Sequence, residues 1–101
     1  MVIEYIRYVV HAEHAAEFEE AYRAASSILE EDPHCLAYEV ARGSEDPEHF
    51  VVRIEWDSLE GHLEGFRKSQ HFRTFFGHVQ PFMKEIAEMN HYVVRLGGAS
   101  L

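Results

Sequence analysis

Between residues 50 and 79, FVVRIEWDSLEGHLEGFRKSQHFRTFFGHV, the apolar period changes from two to about 3.6 residues. That switch forces a strand to run straight into a helix. Phe50, Val52, Ile54 and Trp56 alternate with Val51, Arg53 and Glu55, so one strand face is apolar and the other carries a charge pair. Asp57, with Glu60 three residues on, reads as an N-cap with a capping box, satisfying amides that the first helical turn leaves unpaired. Leu59, His62, Leu63 and Phe66 then share one stripe, which points His62 inward. Ser69 offers a second cap, and Phe72, Phe75, Phe76 and Val79 repeat the spacing. Two short helical segments therefore present Phe66, Phe72 and Phe76 toward the strand that ends in the single tryptophan, Trp56.

The rest of the chain supplies partners for that unit. Residues 2–10 are rich in Val, Ile and Tyr, which suit a pleated, half-buried surface; Val2, Ile6, Tyr8 and Val10 share one face with Glu4, and Ile3, Tyr5, Arg7 and Val9 share the other. From about Ala12 the spacing of Phe18, Ala21, Tyr22, Ala25, Ile28 and Leu29 predicts a helix, which Asp32-Pro33 ends because proline disfavours helical geometry in the residue before it. Leu36, Tyr38, Val40 and Arg42 alternate with Ala37, Glu39 and Ala41 in a second strand, and the turn formers GSEDPE at 43–48 join it to the third as a hairpin. Pro81 kinks the second helix or starts a third, whose apolar side would be Phe82, Met83, Ile86 and Met89. HYVVRL at 91–96 reads as the last strand and 97–101 as a tail, giving one domain over 1–96. The order β-α-β-β-α-β, with a broken second helix, is the ferredoxin-like α+β arrangement: an antiparallel sheet with helices on one face. The uncovered face would carry Ile3, Tyr5, Val9, Ala37, Ala41 and Val51 around Arg7, Glu39, Arg53 and Glu55. A surface so apolar is expected to bury against a second copy, sheet to sheet, in a two-fold homodimer.

Charge narrows the partners. Eighteen acidic residues against nine basic ones give a formal charge of −9, which repels phosphate backbones and anionic membranes. Cys35 is the only cysteine, so there is no intrachain disulfide and no cysteine metal frame. No apolar run reaches spanning length, and Glu4 and Arg7 interrupt the first ten residues where a signal peptide would be apolar. The expectation is a cytoplasmic protein with no nucleic-acid or membrane partner.

The run from Trp56 to Phe82, WDSLEGHLEGFRKSQHFRTFFGHVQPF, following a β-α-β-β order, resembles the antibiotic biosynthesis monooxygenase family of dimeric α+β-barrel proteins. The likeness rests on a strand ending in Trp, an acidic helix start, a His six residues after that Trp, a Ser-x-x-Phe step and a late Pro, and it covers nearly the whole chain. It implies a pocket between sheet and helices in each subunit, and chemistry that runs from cofactor-independent oxygenation of phenols and quinols to haem binding and degradation. Trp56 matches the family's strand-end Trp, and His62 takes a position where relatives carry His or Tyr. The haem-degrading branch uses an Asn, a Trp and a His at positions that here are Ile6, Phe66 and Phe76.

The candidate site follows from both readings. His62 can exchange a proton near neutral pH and would act as base or orienting donor beside a phenol, with Tyr8 lending a hydroxyl. Trp56 would stack on a flat ring. Tyr38, Ile54, Phe66, Phe72 and Phe76 would line the substrate pocket. Each has a structural alternative: a satisfied core histidine, a core tryptophan, tyrosines packed with their hydroxyls at an edge, phenylalanines that simply fill space. His11, His14 and Glu17 share a helix face but lack further ligands, the remaining histidines show no common ligand spacing, and no glycine-rich nucleotide loop occurs. No metal or cofactor is expected. The functional reading is a cofactor-independent monooxygenase acting on a small flat phenol or quinol. The alternatives are a haem-binding or other small-ligand-binding protein of the same fold, and an interaction domain with a filled interior.

Overall fold

The computed structural model describes residues 1–98. The strands β1 (Val2–Val9), β2 (Cys35–Arg42), β3 (His49–Trp56) and β4 (Ile86–Val93) form one antiparallel sheet in the order β2-β3-β1-β4. Helix α1 (Ala15–Glu31), entered through a 3-10 turn at Ala12–His14, and helix α2 (Gln70–Val79) lie on one face of it. This is the ferredoxin-like α+β arrangement that the periodicities demand. Phe18, Tyr22, Ala25 and Leu29 of α1 pack on Tyr8, Phe50, Val52 and Ile54 of the sheet. Phe18 is fully buried and touches the rings of Tyr8, Phe50 and Phe82, and burying a side chain of that size contributes roughly 1.5–3 kcal/mol.

Between β3 and α2 the chain makes neither a continuous helix nor a loop. A short helical start at Leu59 and Glu60 widens into a π-helical turn at Gly61–Gly65 and tightens into a 3-10 turn at Phe66–Lys68. The Phe66 amide reaches back to the carbonyls of both Gly61 and His62, as the wider turn requires. Its cap is Ser58, whose Oγ accepts from the Gly61 amide at 2.8 Å. Asp57, the expected cap, instead holds the His34 ring at 2.9 Å. The extra residue in the turn re-phases the stripe: His62 and Phe66 stay buried, whereas Leu59 and Leu63 are turned to the surface. The second cap is as expected, with Ser69 Oγ accepting from the Phe72 amide.

The last strand begins five residues earlier than the sequence pattern suggests. Ile86 and Met89, expected on a helix, lie in β4, and Leu96 lies beyond it almost fully exposed. Residues 86–90, IAEMN, carry little intrinsic strand preference. They become strand because β1 presents a free edge, pairing Tyr8 with Ile86 and Ile6 with Met89 across a register shift. Pro81 opens a 3-10 segment, Gln80–Glu85, that turns the chain back to that edge. The tail expected at 97–101 falls partly outside the described residues. Among the described residues no helix is long and apolar enough to cross a membrane.

Two histidine and aspartate pairs fasten the broken helix to the connector after α1. Asp32, buried, takes the His34 amide on one carboxylate oxygen and the His71 ring on the other. His34 lies against the π turn, where a Cβ at Gly65 would stand 2.6 Å from its ring and one at Gly61 would strike both His34 and Asp57. Neither glycine has a positive φ, so they are there for space. Gly65→Ala is therefore expected to destabilise the fold by about 1–3 kcal/mol through overpacking. In a His34→Ala background most of that cost disappears, as denaturant unfolding of the four variants would show; an undiminished cost would mean the glycine serves the backbone.

Candidate active site

Beneath the broken helix is a partly open cavity of about 200 Å³. The sheet contributes Glu4, Ile6 and Tyr8 from β1, Ile54 and Trp56 from β3, and Ile86 and Met89 from β4. The helical layer contributes Tyr22, His62, Phe66, Arg67, Phe72, Phe75, Phe76, Val79 and Met83. Of the residues the sequence nominated, Tyr8, Ile54, Trp56, His62, Phe66, Phe72 and Phe76 meet here. Tyr38 does not. It lines a separate surface groove with Tyr22 and Phe50, and its hydroxyl donates to Glu30. Strand β2 is the sheet edge beyond β3, and from there Tyr38 reaches Glu30 of α1 rather than this hollow.

At the polar end of the cavity Glu4, Trp56 and His62 line the wall and His91, outside the lining, is hydrogen-bonded to His62, the four brought together by four elements. Glu4 sits on the inward face of β1, next to Ile54 on one side and His91 of β4 on the other. It is 3% exposed, and its Oε1 accepts from Trp56 Nε1–H at 3.1 Å and lies 3.5 Å from His62 Nε2. His62 is 2% exposed and stacks on Trp56, the ring centres 4.2 Å apart and the planes within 7°. Its Nδ1 shares a 2.7 Å hydrogen bond with His91 Nε2, so one imidazole donates and the other accepts. Trp56 is itself fully buried, with His62 over one face and Phe66 tilted against it at 4.9 Å. The face that sequence reasoning reserved for a ligand ring is thus taken by His62.

Burial sets the protonation of this cluster. Desolvation lifts the Glu4 carboxyl above its usual value, opposed by the Trp56 hydrogen bond and the charge of Arg67. Desolvation also lowers His62 to about 3, helped by the fields of Arg67 and His91, and His91 is lowered by burial and by Arg67. At neutral pH both imidazoles are uncharged, and a proton can pass between them by exchange of ring tautomers. At the other end the Tyr8 hydroxyl meets that of Tyr22 at 2.6 Å. Burial pushes Tyr8 up to about 12, which leaves it a hydrogen-bond donor and removes it as an acid or base near neutrality. The Cys35 thiol, pushed up to about 11 by burial, is likewise unreactive.

Glu4, His62 and His91 are also the side chains that could share a metal ion, their donor atoms lying within 4.8 Å of one another. The 2.7 Å between the two ring nitrogens is a hydrogen-bond distance, and neighbouring ligands on a metal with bonds of about 2.1 Å stand nearer 3 Å apart. An ion would have to part the imidazoles. The other grouping, His11, His14 and Glu17, lies on the exposed start of α1, with His14 Nδ1 3.8 Å from Glu17. Ile6, Phe66 and Phe76 all line the cavity as apolar walls that offer iron no ligand.

Sequence reasoning missed Glu4, Arg67 and Tyr22 as cavity residues, and His91 as the partner of His62. Glu4 had left a signal, an acid on the apolar face of the first strand. His91 was lost with the misplaced start of β4. Arg67 reaches the cavity from the 3-10 turn that follows the π turn, which an unbroken helical stripe does not predict.

Comparison with known proteins agrees with this architecture. The profile of the antibiotic biosynthesis monooxygenase family matches residues 1–78. The uncharacterized protein YczJ of Bacillus subtilis is 26% identical over 76 residues, 75% of this chain and 80% of that protein. Among solved structures, SnoaB, a cofactor-independent oxygenase from Streptomyces nogalater, superposes with a TM-score of 0.78 at 16% identity, covering 95% of this chain and 94% of its own. A conserved protein from Methanosarcina mazei gives 0.75 at 24%, covering 90% and 89%. At such identities the structures speak for the fold, which they share with this chain. The profile spans more than three quarters of the sequence, and on that ground the chain belongs to the antibiotic biosynthesis monooxygenase family.

Proposed function

We propose that this protein is a monooxygenase that, without a bound cofactor, oxidises a flat phenolic or quinol-type molecule in the cavity beneath the broken helix. The observation that carries the reading is a hollow walled by rings with one buried carboxyl and one buried neutral imidazole at its end. Membership of the family and the likeness in fold to an oxygenase described as cofactor-independent support it.

The cavity is below the roughly 300–1,000 Å³ of pockets for drug-sized ligands, so a substrate of one or two rings fits it best. Its apolar walls exclude water, and a phenol entering would find Glu4 as the group to take its proton. A carboxylate whose affinity for a proton is lifted is a stronger base than one in water. Trp56 fixes the oxygen that faces His62, and the His62 and His91 pair carries the proton onward. The resulting anion is the electron donor to dioxygen. For a phenol reacting through its keto tautomer at a ring CH2, one oxygen atom remains on carbon as a carbonyl and the other leaves as water with both hydrogens. The four electrons that reduce O2 come from that carbon, and no other reductant is needed.

Oxygen uptake with a panel of hydroquinones, naphthols and naphthohydroquinones tests this. Wild-type protein should consume oxygen with at least one of them, and Glu4→Gln and His62→Asn should each lower the rate by about 10²–10⁴, the range for loss of a positioned acid or base. Uptake no greater than that of the variants across the panel would overturn the reading and leave a small-molecule binding protein.

The uncovered sheet face bears on assembly. Tyr5 and Tyr92 pack edge to face at 5.5 Å beside the Arg53 and Glu55 pair, held at 2.7 Å, with Val9, Ala37, Ala41 and Val51 at least partly exposed around them. We infer that two copies join here, sheet to sheet. Light scattering at micromolar concentration should give twice the chain mass, and Tyr92→Glu should give the monomer. A wild-type monomer would contradict the inference.

A further inference from the structure

Among the described residues no fully buried side-chain nitrogen or oxygen lacks a hydrogen bond. One charge at the cavity is left over. Arg23, Arg42, Arg53 and Lys68 each meet a carboxylate; Arg7, Arg67, Arg73, Lys84 and Arg95 form no ion pair among the described residues, and of these five Arg67 is the one that lines the cavity. It is half-buried, lines the cavity, and is held over the Phe72 ring with 5.5 Å between its guanidinium carbon and the ring centre. Stacking of this kind fixes the direction of a planar guanidinium while leaving its in-plane donors free.

The setting makes that vacancy informative. The chain carries a charge of −9, so carboxylates are abundant, yet among the described residues none lies within ion-pair distance of Arg67, and Glu4 in the same cavity wall feels its charge without pairing with it. Its positive field instead falls on the cavity and on Glu4, His62 and His91. A guanidinium beside an apolar, partly dehydrated hollow is the side chain suited to a planar anion, which it can grip by two parallel hydrogen bonds. We propose that the cavity takes a flat aromatic acid, a ring system of one or two rings carrying a carboxylate or comparable anionic group that pairs with Arg67 while the rings lie among Phe66, Phe72 and Phe76. This names the ligand class of the site proposed above and rests on the cavity being that site.

Binding can be followed without turnover, because Trp56 is the only tryptophan and stands in the cavity wall. Its fluorescence is titrated with 2-naphthoate and with naphthalene-2-carboxamide, the uncharged molecule of the same shape. The carboxylate should bind more tightly than the amide, and Arg67→Gln should weaken the carboxylate by on the order of tenfold, the loss of one charge-assisted pair, while leaving the amide unchanged. Arg67→Lys, which keeps the charge without the fork, should fall between. Equal affinity for the two probes, equal loss of both in Arg67→Gln, or saturable binding of neither overturns the proposal. Selective naphthoate binding with no oxygen uptake would sink only the oxygenase reading; uptake with neutral quinols and no preference for the carboxylate would sink only this one.

Discussion

A carboxyl group on the buried face of a strand is the constraint around which the functional end of this molecule is built. An isolated buried carboxylate is too costly to keep, so Glu4 needs a donor and polar neighbours, and it finds them in residues from other elements. Trp56 supplies its indole N–H from the adjacent strand and His62 brings a ring nitrogen to 3.5 Å from above. His62 reaches that place because the helix widens at Gly61–Gly65, and the widening is possible because two glycines leave room for His34. The broken helix and the buried acid are thus parts of one solution.

That solution leaves a hollow rather than a filled core. The rings of Phe66, Phe72, Phe75 and Phe76 descend from the helical layer and meet one another at centre distances near 5.7 Å, but β4 approaches from the sheet edge with Ile86 and Met89 only. A hollow lined by carbon, with a polar cluster at one end and an uncommitted guanidinium at its wall, is what a small aromatic molecule with a polar group requires. The same cluster could have served stability alone, and then the hollow would have no evident reason to persist beside it.

Much of the fold was legible in the chain. The alternation of Phe50, Val52, Ile54 and Trp56, the stripe on α1, the stop at Asp32-Pro33 and the Ser69 cap all appear where local physics puts them. What was not legible depended on partners distant in sequence. Residues 86–90 have no strong strand signal and are strand because β1 offers them an edge. The π turn cannot be read from an apolar stripe, since one inserted residue looks the same until the next turn fails to line up; the surface positions of Leu59 and Leu63 record that failure. In the site, His62, Trp56 and the phenylalanines followed from helical spacing, while Glu4, His91 and Arg67 are defined by what lies beside them in space.

The most direct test of this account is the ionisation of His62 in the folded protein, read from its imidazole ¹⁵N shifts as pH is lowered. Burial against Trp56 places its pKa at about 3, well below the ~6.5 of an unfolded chain. Because the folded state then binds fewer protons than the unfolded one, falling pH below about 6.5 should erode stability while the ring stays neutral until the fold itself gives way. A His62 that protonates near pH 6.5 in a protein still folded would mean that the ring is open to water, and the buried cluster on which the rest depends would not exist.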